Sequence, residues 1–491
     1  MPTQPAARLL AESDYVRVLE NRIAELESFD PQQSLDHLGR GLNGSAQITH
    51  QHVSPTGQAL PDNNSPTVNS PSLQRRPSVL SGSSLGYPLI SGIDDESDLD
   101  HLIFGLITSP STQHPANRAF VSQPSPGCQQ GTVAQSLDAA QALVRNIPLD
   151  LEDTLLEAYR ERAQAQYPFF HWDTFLTWHA EWKQCSPCDL EQRAWQGFFV
   201  NLVYATSLLL LRRPYVAAFD ARSFYSNGVA LLPSVLRQPD RILHVQAYLL
   251  LAMHALHQSS TERIISLAST TMRQCVQQQL HLSETEAEPV DIKSRLWIQI
   301  RRRCFWCAYL LDRLVMSAFD LPPSVPDLMI TVRPFNNIED RDLLQAAAET
   351  PVNFELNDHP RYTSISSALH ILQCRRIQSE ISAVTLRWDY SSHFEEASDW
   401  RIRILTELEN YKARVQNFSD PQSKGYTSQR WLALIYHYTL LMLYRPTKEN
   451  VMGSAGDWSV QASSQACLMF RRTQIDRQIA QPWLAVGSMS S

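Results

Sequence analysis

Glycine is scarce in this 491-residue chain, with 16 against 29 prolines. So few glycines disfavour a phosphate-binding glycine loop or a turn-dense β architecture, and leave a mainly helical chain. Positive charge is not in excess either. With 42 Lys and Arg against 50 Asp and Glu, the net charge is −8, which argues against binding DNA through a broad basic face. Cysteine is sparse and late: there are 8, scattered, and none stands before Cys128. Thiols without a disulfide framework are expected to be reduced, in an intracellular compartment. The opening Met1-Pro2-Thr3-Gln4 has neither the basic nor the apolar region of a secretory signal. Long hydrophobic runs are missing too. The longest, Phe198–Leu211, covers 14 residues and is interrupted by Asn201, Thr206 and Ser207. It fits a buried helix rather than a bilayer span, and no membrane partner is expected.

What is present divides into three textures. Residues 8–28 place apolar side chains at Leu9, Val16, Leu19, Ile23 and Leu26. From Val16 the steps are three, four and three, the seam of a coiled coil. Val16, Leu19, Ile23 and Leu26 are the expected dimerisation residues, with a homodimer as the partner; a lone amphipathic helix would have the same spacing. Residues 31–140 are rich in Ser, Pro, Gln, Asn and Gly and nearly devoid of aromatics. Such a segment cannot bury enough apolar surface to offset its ordering entropy, and reads as a disordered linker. It carries an acidic patch at Asp94-Asp95-Glu96-Ser97-Asp98 and a short docking segment at Leu99–Ile107.

From about Leu143 long apolar-periodic segments take over. The expected helices are Leu149–Gln166, Asp173–Gln184, Asp189–Leu211, Tyr215–Leu236, Arg241–His257, Thr261–Leu280, Asp291–Ser317, Tyr362–Leu386, Ser398–Phe418 and Ser428–Leu443. Pro334–His359 reads as a long insertion loop. No β-type alternation of comparable length occurs, so residues 145–480 are expected to form one all-α array of packed helical hairpins.

Motifs that carry chemistry elsewhere lack their context here. Gly82-Ser83-Ser84-Leu85-Gly86 matches a nucleophile elbow but stands in a Ser-rich linker, not between a strand and a helix. Asp94, Asp95 and Asp98 match a magnesium-binding run of all-α prenyl-chain enzymes, yet they precede the helical region and have no second acidic motif to complete a metal cluster. A magnesium-dependent enzyme is therefore a remote alternative. Cys185 and Cys188 form a lone C-x-x-C, two ligands short of a zinc site. His254 and His257 lie on an apolar helix and read as core or groove histidines. No catalytic, cofactor-binding or metal-binding residue is expected.

The specific signal is Arg302-Arg303-x-Phe305-Trp306, then Tyr309-x-Leu311-Asp312-Arg313, then Pro322-Pro323-Ser324-Val325, Asp327 and Val332-x-Pro334. On a helix Trp306, Tyr309, Leu310 and Arg313 share one face. Asp312 and Arg313 are adjacent, so they are not expected to pair with each other. Arg302 or Arg303 is expected to meet a carboxylate, and Pro322-Pro323 to stop the helix.

This ordered set resembles the fungal-specific transcription factor domain, the middle homology region of fungal binuclear-zinc-cluster regulators. Tyr167-Pro168-Phe169-Phe170-His171, Val245–Leu250, Leu280-His281 and Leu443-Tyr444-Arg445-Pro446 resemble further pieces of it. The resemblance implies an RNA polymerase II transcription regulator in the nucleus, pathway-specific for a metabolic or secondary-metabolite gene cluster. Transcription machinery or a small effector would be its partners. The alternative is an effector-sensing or corepressor-like protein of the same fold that does not touch DNA. Asp320-Leu321 stands where the family usually has Gly-Arg. The family's six-cysteine zinc cluster is absent from the sequence as it stands, so no cofactor is expected, and DNA becomes a partner only with a cluster upstream of Met1.

Overall fold

The computed structural model describes residues 129–475, apart from 212–218, 259–260, 352–353, 388–389, 391–396, 421 and 446–450. The coiled-coil positions Val16, Leu19, Ile23 and Leu26, the acidic run from Asp94 and the Gly82–Gly86 motif lie outside the described residues.

The described residues are helical, with no strand among them. The helices are α1 (Gln129–Arg145), α2 (Leu149–Tyr159), α3 (Trp172–Gln184), α4 (Leu190–Leu211), α5 (Ala221–Ala230), α6 (Leu232–Leu236) and α7 (Arg241–His257). They continue as α8 (Thr261–Gln277), α9 (Ile292–Phe319), α10 (Asp340–Glu349), α11 (Ser366–Thr385), α12 (Ser398–Asn417), α13 (Gln429–Leu443) and α14 (Ser454–Ile475). Consecutive pairs α7 with α8, α8 with α9 and α13 with α14 pack against each other, so helical hairpins do recur along the array.

Local chemistry sets several ends. Asp220 and Asp240 cap α5 and α7, their carboxylates accepting from Ser223 N at 3.2 Å and Ile242 N at 2.9 Å. Asp291 opens α9 with a reciprocal cap: its carboxylate accepts from Ser294 N at 2.7 Å, and Ser294 Oγ accepts from Asp291 N at 3.0 Å.

Two helices form the spine. α4 is apolar on nearly every face and is covered by α1, α2, α3, α5 and α7. It is long and apolar enough by composition to cross a membrane, but its surface is taken up by neighbouring helices. α9 is covered by α7, α8, α10 and α11, although it carries Arg295, Arg301, Arg302, Arg303, Asp312 and Arg313 among its buried residues. One continuous apolar core joins both, and a small satellite of Ile338, Leu343, Ala347 and Leu356 packs on Leu296 at the start of α9.

Four elements differ from the sequence expectation. Residues 129–140, placed in the linker above, belong to α1, which buries Leu137, Ala140 and Val144. The Tyr215–Leu236 helix is divided: Asp220 starts a fresh helix, and Pro233 opens α6. The supposed insertion loop contains α10, whose Leu343 and Ala347, four apart, face the satellite core. Finally, α14 has no counterpart among the expected helices. It buries small side chains (Ala455, Ser459, Ala462 and Ala466), so hydrophobic periodicity gives it little signal.

Candidate functional site

Arg295, Gln299, Arg303, Trp306 and Arg313 lie four, four, three and seven residues apart, which sets them in one stripe along α9. Each reaches across to the chain between residues 325 and 351. Arg295 donates to the carbonyls of Ala347 at 2.6 Å and Thr350 at 2.5 Å, and to that of Pro351. Gln299 and Asn336 exchange two bonds, Gln299 Nε2 to Asn336 Oδ1 at 2.8 Å and Asn336 N to Gln299 Oε1 at 2.9 Å. Trp306 Nε1 donates to the Arg333 carbonyl at 2.8 Å, while its ring meets Tyr309 edge-on at 5.1 Å and Phe305 at 5.2 Å. Phe305 itself is fully buried. The stripe thus clamps the segment that returns after the helix.

Arg303 is the point where three parts of the fold converge. Its guanidinium donates to Asp340 Oδ1 at 2.5 Å and to the Phe170 carbonyl at 3.3 Å. The other oxygen of Asp340 accepts from Trp172 N at 2.7 Å, so one carboxylate caps α3 and pairs with α9 together. His171, last residue of the Tyr-Pro-Phe-Phe-His stretch, places Nε2 3.0 Å from the Asp340 carbonyl and Nδ1 2.8 Å from Thr174 Oγ1. Asp340 is the residue that the loop assignment hid; an acid opening a short amphipathic helix was its signal.

Arg301 faces away from the stripe, whereas Arg302, four residues before Trp306, shares its face and also lies 3.5 Å from Glu355. Arg302 grips Glu286 with a two-pronged bond, Nε to Oε1 at 2.8 Å and Nη2 to Oε2 at 2.7 Å. Arg301 shares that carboxylate at 3.3 Å and donates to the Gln279 carbonyl at 2.8 Å and Thr285 Oγ1 at 2.5 Å. Both arginines of the expected pair therefore meet carboxylates, on different elements.

Arg313 overturns one expectation. It does pair with its neighbour Asp312, Nη1 donating to Oδ2. Adjacent side chains on a helix diverge, but the guanidinium is long enough to curl back, and both groups are buried. The same guanidinium donates to Ser379 Oγ at 2.9 Å, the Val325 carbonyl at 2.6 Å and Asp327 Oδ1 at 3.1 Å, and stacks 4.3 Å over the Tyr309 ring. Asp312 also accepts from Ser324 Oγ, so the turn after Pro322-Pro323 is tied to the helix it leaves.

The prolines are not what stops α9. The helix ends at Phe319, and Asp320 follows in the left-handed conformation, φ 53° and ψ 40°, where glycine is usual. Pro322 and Pro323 come after that cap. Asp320 compensates with its carboxylate, which accepts from Arg445 Nη1 at 2.7 Å and Nη2 at 2.6 Å. The end of the signature helix and the late Leu-Tyr-Arg element are thereby joined.

Among the described residues no cluster of three or more His, Cys, Asp or Glu could hold a metal ion. Cys185 and Cys188 are free thiols in the turn between α3 and α4. His254 is buried and stacked on Tyr225 at 4.1 Å, and burial, aided by Arg263 and His257, pushes its imidazole down to about 3. Space for a small molecule is found elsewhere, in a half-open groove of about 360 Å³ among α12, α13 and α14.

A model described as the fungal-specific transcription factor domain matches residues 156–413. The chain is 26% identical to pyrimidine pathway regulatory protein 1 of Saccharomyces cerevisiae over 307 residues, 60% of this chain and 32% of that protein. It is 23% identical over 499 aligned positions to transcription factor FBD3 of Gibberella moniliformis, covering 91% of this chain and 64% of the relative. It is 22% identical over 378 positions to transcription factor FBD3 of Fusarium pseudograminearum, covering 66% and 47%. The chain thus spans between about a third and two thirds of the length of these relatives. No solved structure matches it.

Proposed function

The chain belongs to the fungal-specific transcription factor domain family, and from that premise we propose that it regulates RNA polymerase II transcription of one metabolic pathway, in the nucleus and as a homodimer. The observation that carries this reading is the family match over residues 156–413, whose arginine-rich signature is spent on bracing the fold. All three relatives are named as regulators or transcription factors, one of them of the pyrimidine pathway. In this reading the helical array is a rigid platform that receives an effector or a partner, and Val16, Leu19, Ile23 and Leu26 join two copies.

The family's zinc cluster does not fit the residues present. It needs six cysteines, and the first cysteine of these 491 residues is Cys128. Contact with DNA is accordingly left to a partner or to sequence beyond these residues, and no step is routed through zinc. The net charge of −8 favours, as a second reading, a regulator that reaches promoters only through another protein.

Three experiments test these readings. Deleting the gene in its host should change transcripts of a small set of functionally related genes, and an unchanged transcriptome would refute the regulatory assignment. The purified chain should carry no stoichiometric zinc and shift no DNA site at nanomolar concentration. Specific nanomolar binding by the chain alone would exclude the second reading. Leu19→Glu with Ile23→Glu should weaken self-association in the ultracentrifuge without changing the melting temperature, because a charge in the seam separates the helices. An unchanged dimer would place the interface elsewhere.

A further inference from the structure

The groove among α12, α13 and α14 takes no part in the clamp on α9. At about 360 Å³ it lies at the lower end of the size range of small-molecule sites. Its floor is apolar, made by Val415, Leu432, Ala433 and Met469. Two phenol rings wall it, and their hydroxyls are already committed. Tyr411 donates to the Leu432 carbonyl at 3.2 Å, and Tyr436 to Glu409 Oε1 at 2.5 Å. Their hydroxyls are therefore not available to an occupant.

The polar lining is one-sided. Lys412, Arg430 and Arg472 line the groove and no carboxylate does. Glu409 lies just outside, 3.5 Å from Lys412 Nζ, and offsets part of its charge. Lys412 also stands 5.4 Å from the centre of the Tyr436 ring, which directs the cation over the wall. A further polar atom is left over within the lining: His437 Nδ1 is buried and has no hydrogen-bond partner. A buried polar atom without a partner asks for an occupant. Burial, with the Lys412 charge second, pushes this imidazole down to about 4, so the ring is neutral at physiological pH and can donate or accept through either nitrogen.

We propose that the groove binds a small organic acid, its carboxylate held by Lys412 and Arg472 and its apolar or aromatic body lying between Tyr436 and Met469. The proposal deepens the regulatory reading and rests on it for its consequence: occupancy would be the signal that α12, α13 and α14 transmit.

Binding is tested directly on the full chain, with phenylacetate as the probe and phenylacetamide as its neutral counterpart. Calorimetry should show phenylacetate binding at least tenfold more tightly than the amide, with an affinity that falls as salt is raised. Combining Lys412→Gln with Arg472→Gln should cost tenfold or more in phenylacetate affinity. The charge-keeping pair Lys412→Arg and Arg472→Lys should retain binding, which separates lost charge from lost fold. Equal affinity for acid and amide, no heat from phenylacetate at 10 mM, or full binding by the double glutamine variant would each overturn the site. Transcript profiling reads the other assignment independently. A groove that binds no acid removes this site and leaves the regulator, whereas a silent deletion strain removes the regulator and leaves the isotherm standing.

Discussion

α4 and α9 are both buried, and they reach burial by opposite routes. α4 has little but apolar surface, and the side-chain donors of its few central polar groups bond back within the helix, leaving Asn201 Oδ1 without a partner. Asn201 donates to the Gly197 carbonyl, Thr206 to that of Leu202 and Ser207 to that of Val203, each at 2.8 Å and four residues back. α9 buries five arginines and an aspartate, and nearly every bond they make leaves the helix. Hydrophobic burial is non-directional and would accept several neighbours. A buried guanidinium donates only to acceptor oxygens placed to match its fork. α4 therefore supplies cohesion, while α9 fixes which segments lie beside it.

The largest effects should fall on α9. Trp306→Ala is expected to cost about 3–5 kcal/mol, the range for deleting a large buried side chain, as read by denaturant unfolding. Arg303→Met should cost a similar amount, about 3–5 kcal/mol, because the largely buried Asp340 carboxylate loses its cationic partner. Adding Asp340→Leu should recover part of that loss, since the stranded charge goes with it. Ser207→Ala in α4, which removes only an internal bond, should stay within about 1 kcal/mol. If Arg303→Met proved as mild as Ser207→Ala, the two helices would not differ in kind.

The same contrast explains what was legible in the sequence. α4 could be read from its apolar run, and α9 from periodicity and the family resemblance. The partners of α9 could not. Glu286 and Asp340 are 16 and 37 residues from the arginines they hold, and nothing local in the sequence marks such a pair. Asp340 was hidden further by reading 334–359 as a loop, and the Asp312–Arg313 bond by treating neighbours on a helix as divergent. α14 escaped because it packs through alanine and serine, and with it went one wall of the groove. A groove made between three helices, from residues spread over 411–472, has no linear motif.

A second difference between the apolar and polar parts of the core should appear with pH. His254, on the apolar helix α7, is held down to about 3 by burial first, from an unfolded value of 6.5. Between those values the unfolded chain binds a proton that the folded chain refuses, so stability falls as pH drops from 6.5 towards 3. One such group contributes a slope of about 1.4 kcal/mol per pH unit. His179, His244, His370 and His437 are lowered by burial as well and add to the slope. His254→Phe keeps a ring against Tyr225 and should reduce the dependence by about one proton between pH 4 and 6. An unchanged slope in urea titrations across that window would mean that the folded protein already accommodates the charged ring.

The smallest effect expected is at the end of α9, where backbone and charge oppose each other. Asp320 sits at φ 53°, a conformation that costs a residue with a Cβ about 1–2 kcal/mol. Its bond to Arg445 is two-pronged but about half exposed on both sides, so it returns no more than about 1 kcal/mol. Asp320→Gly gives up the ion pair and relieves the backbone, and should lie within about 1 kcal/mol of the parent. Asp320→Ala gives up the ion pair and keeps the strain, and should cost up to about 1 kcal/mol. Equal melting temperatures for the two variants would show that the left-handed cap carries no strain, and that the aspartate is held there by Arg445 alone.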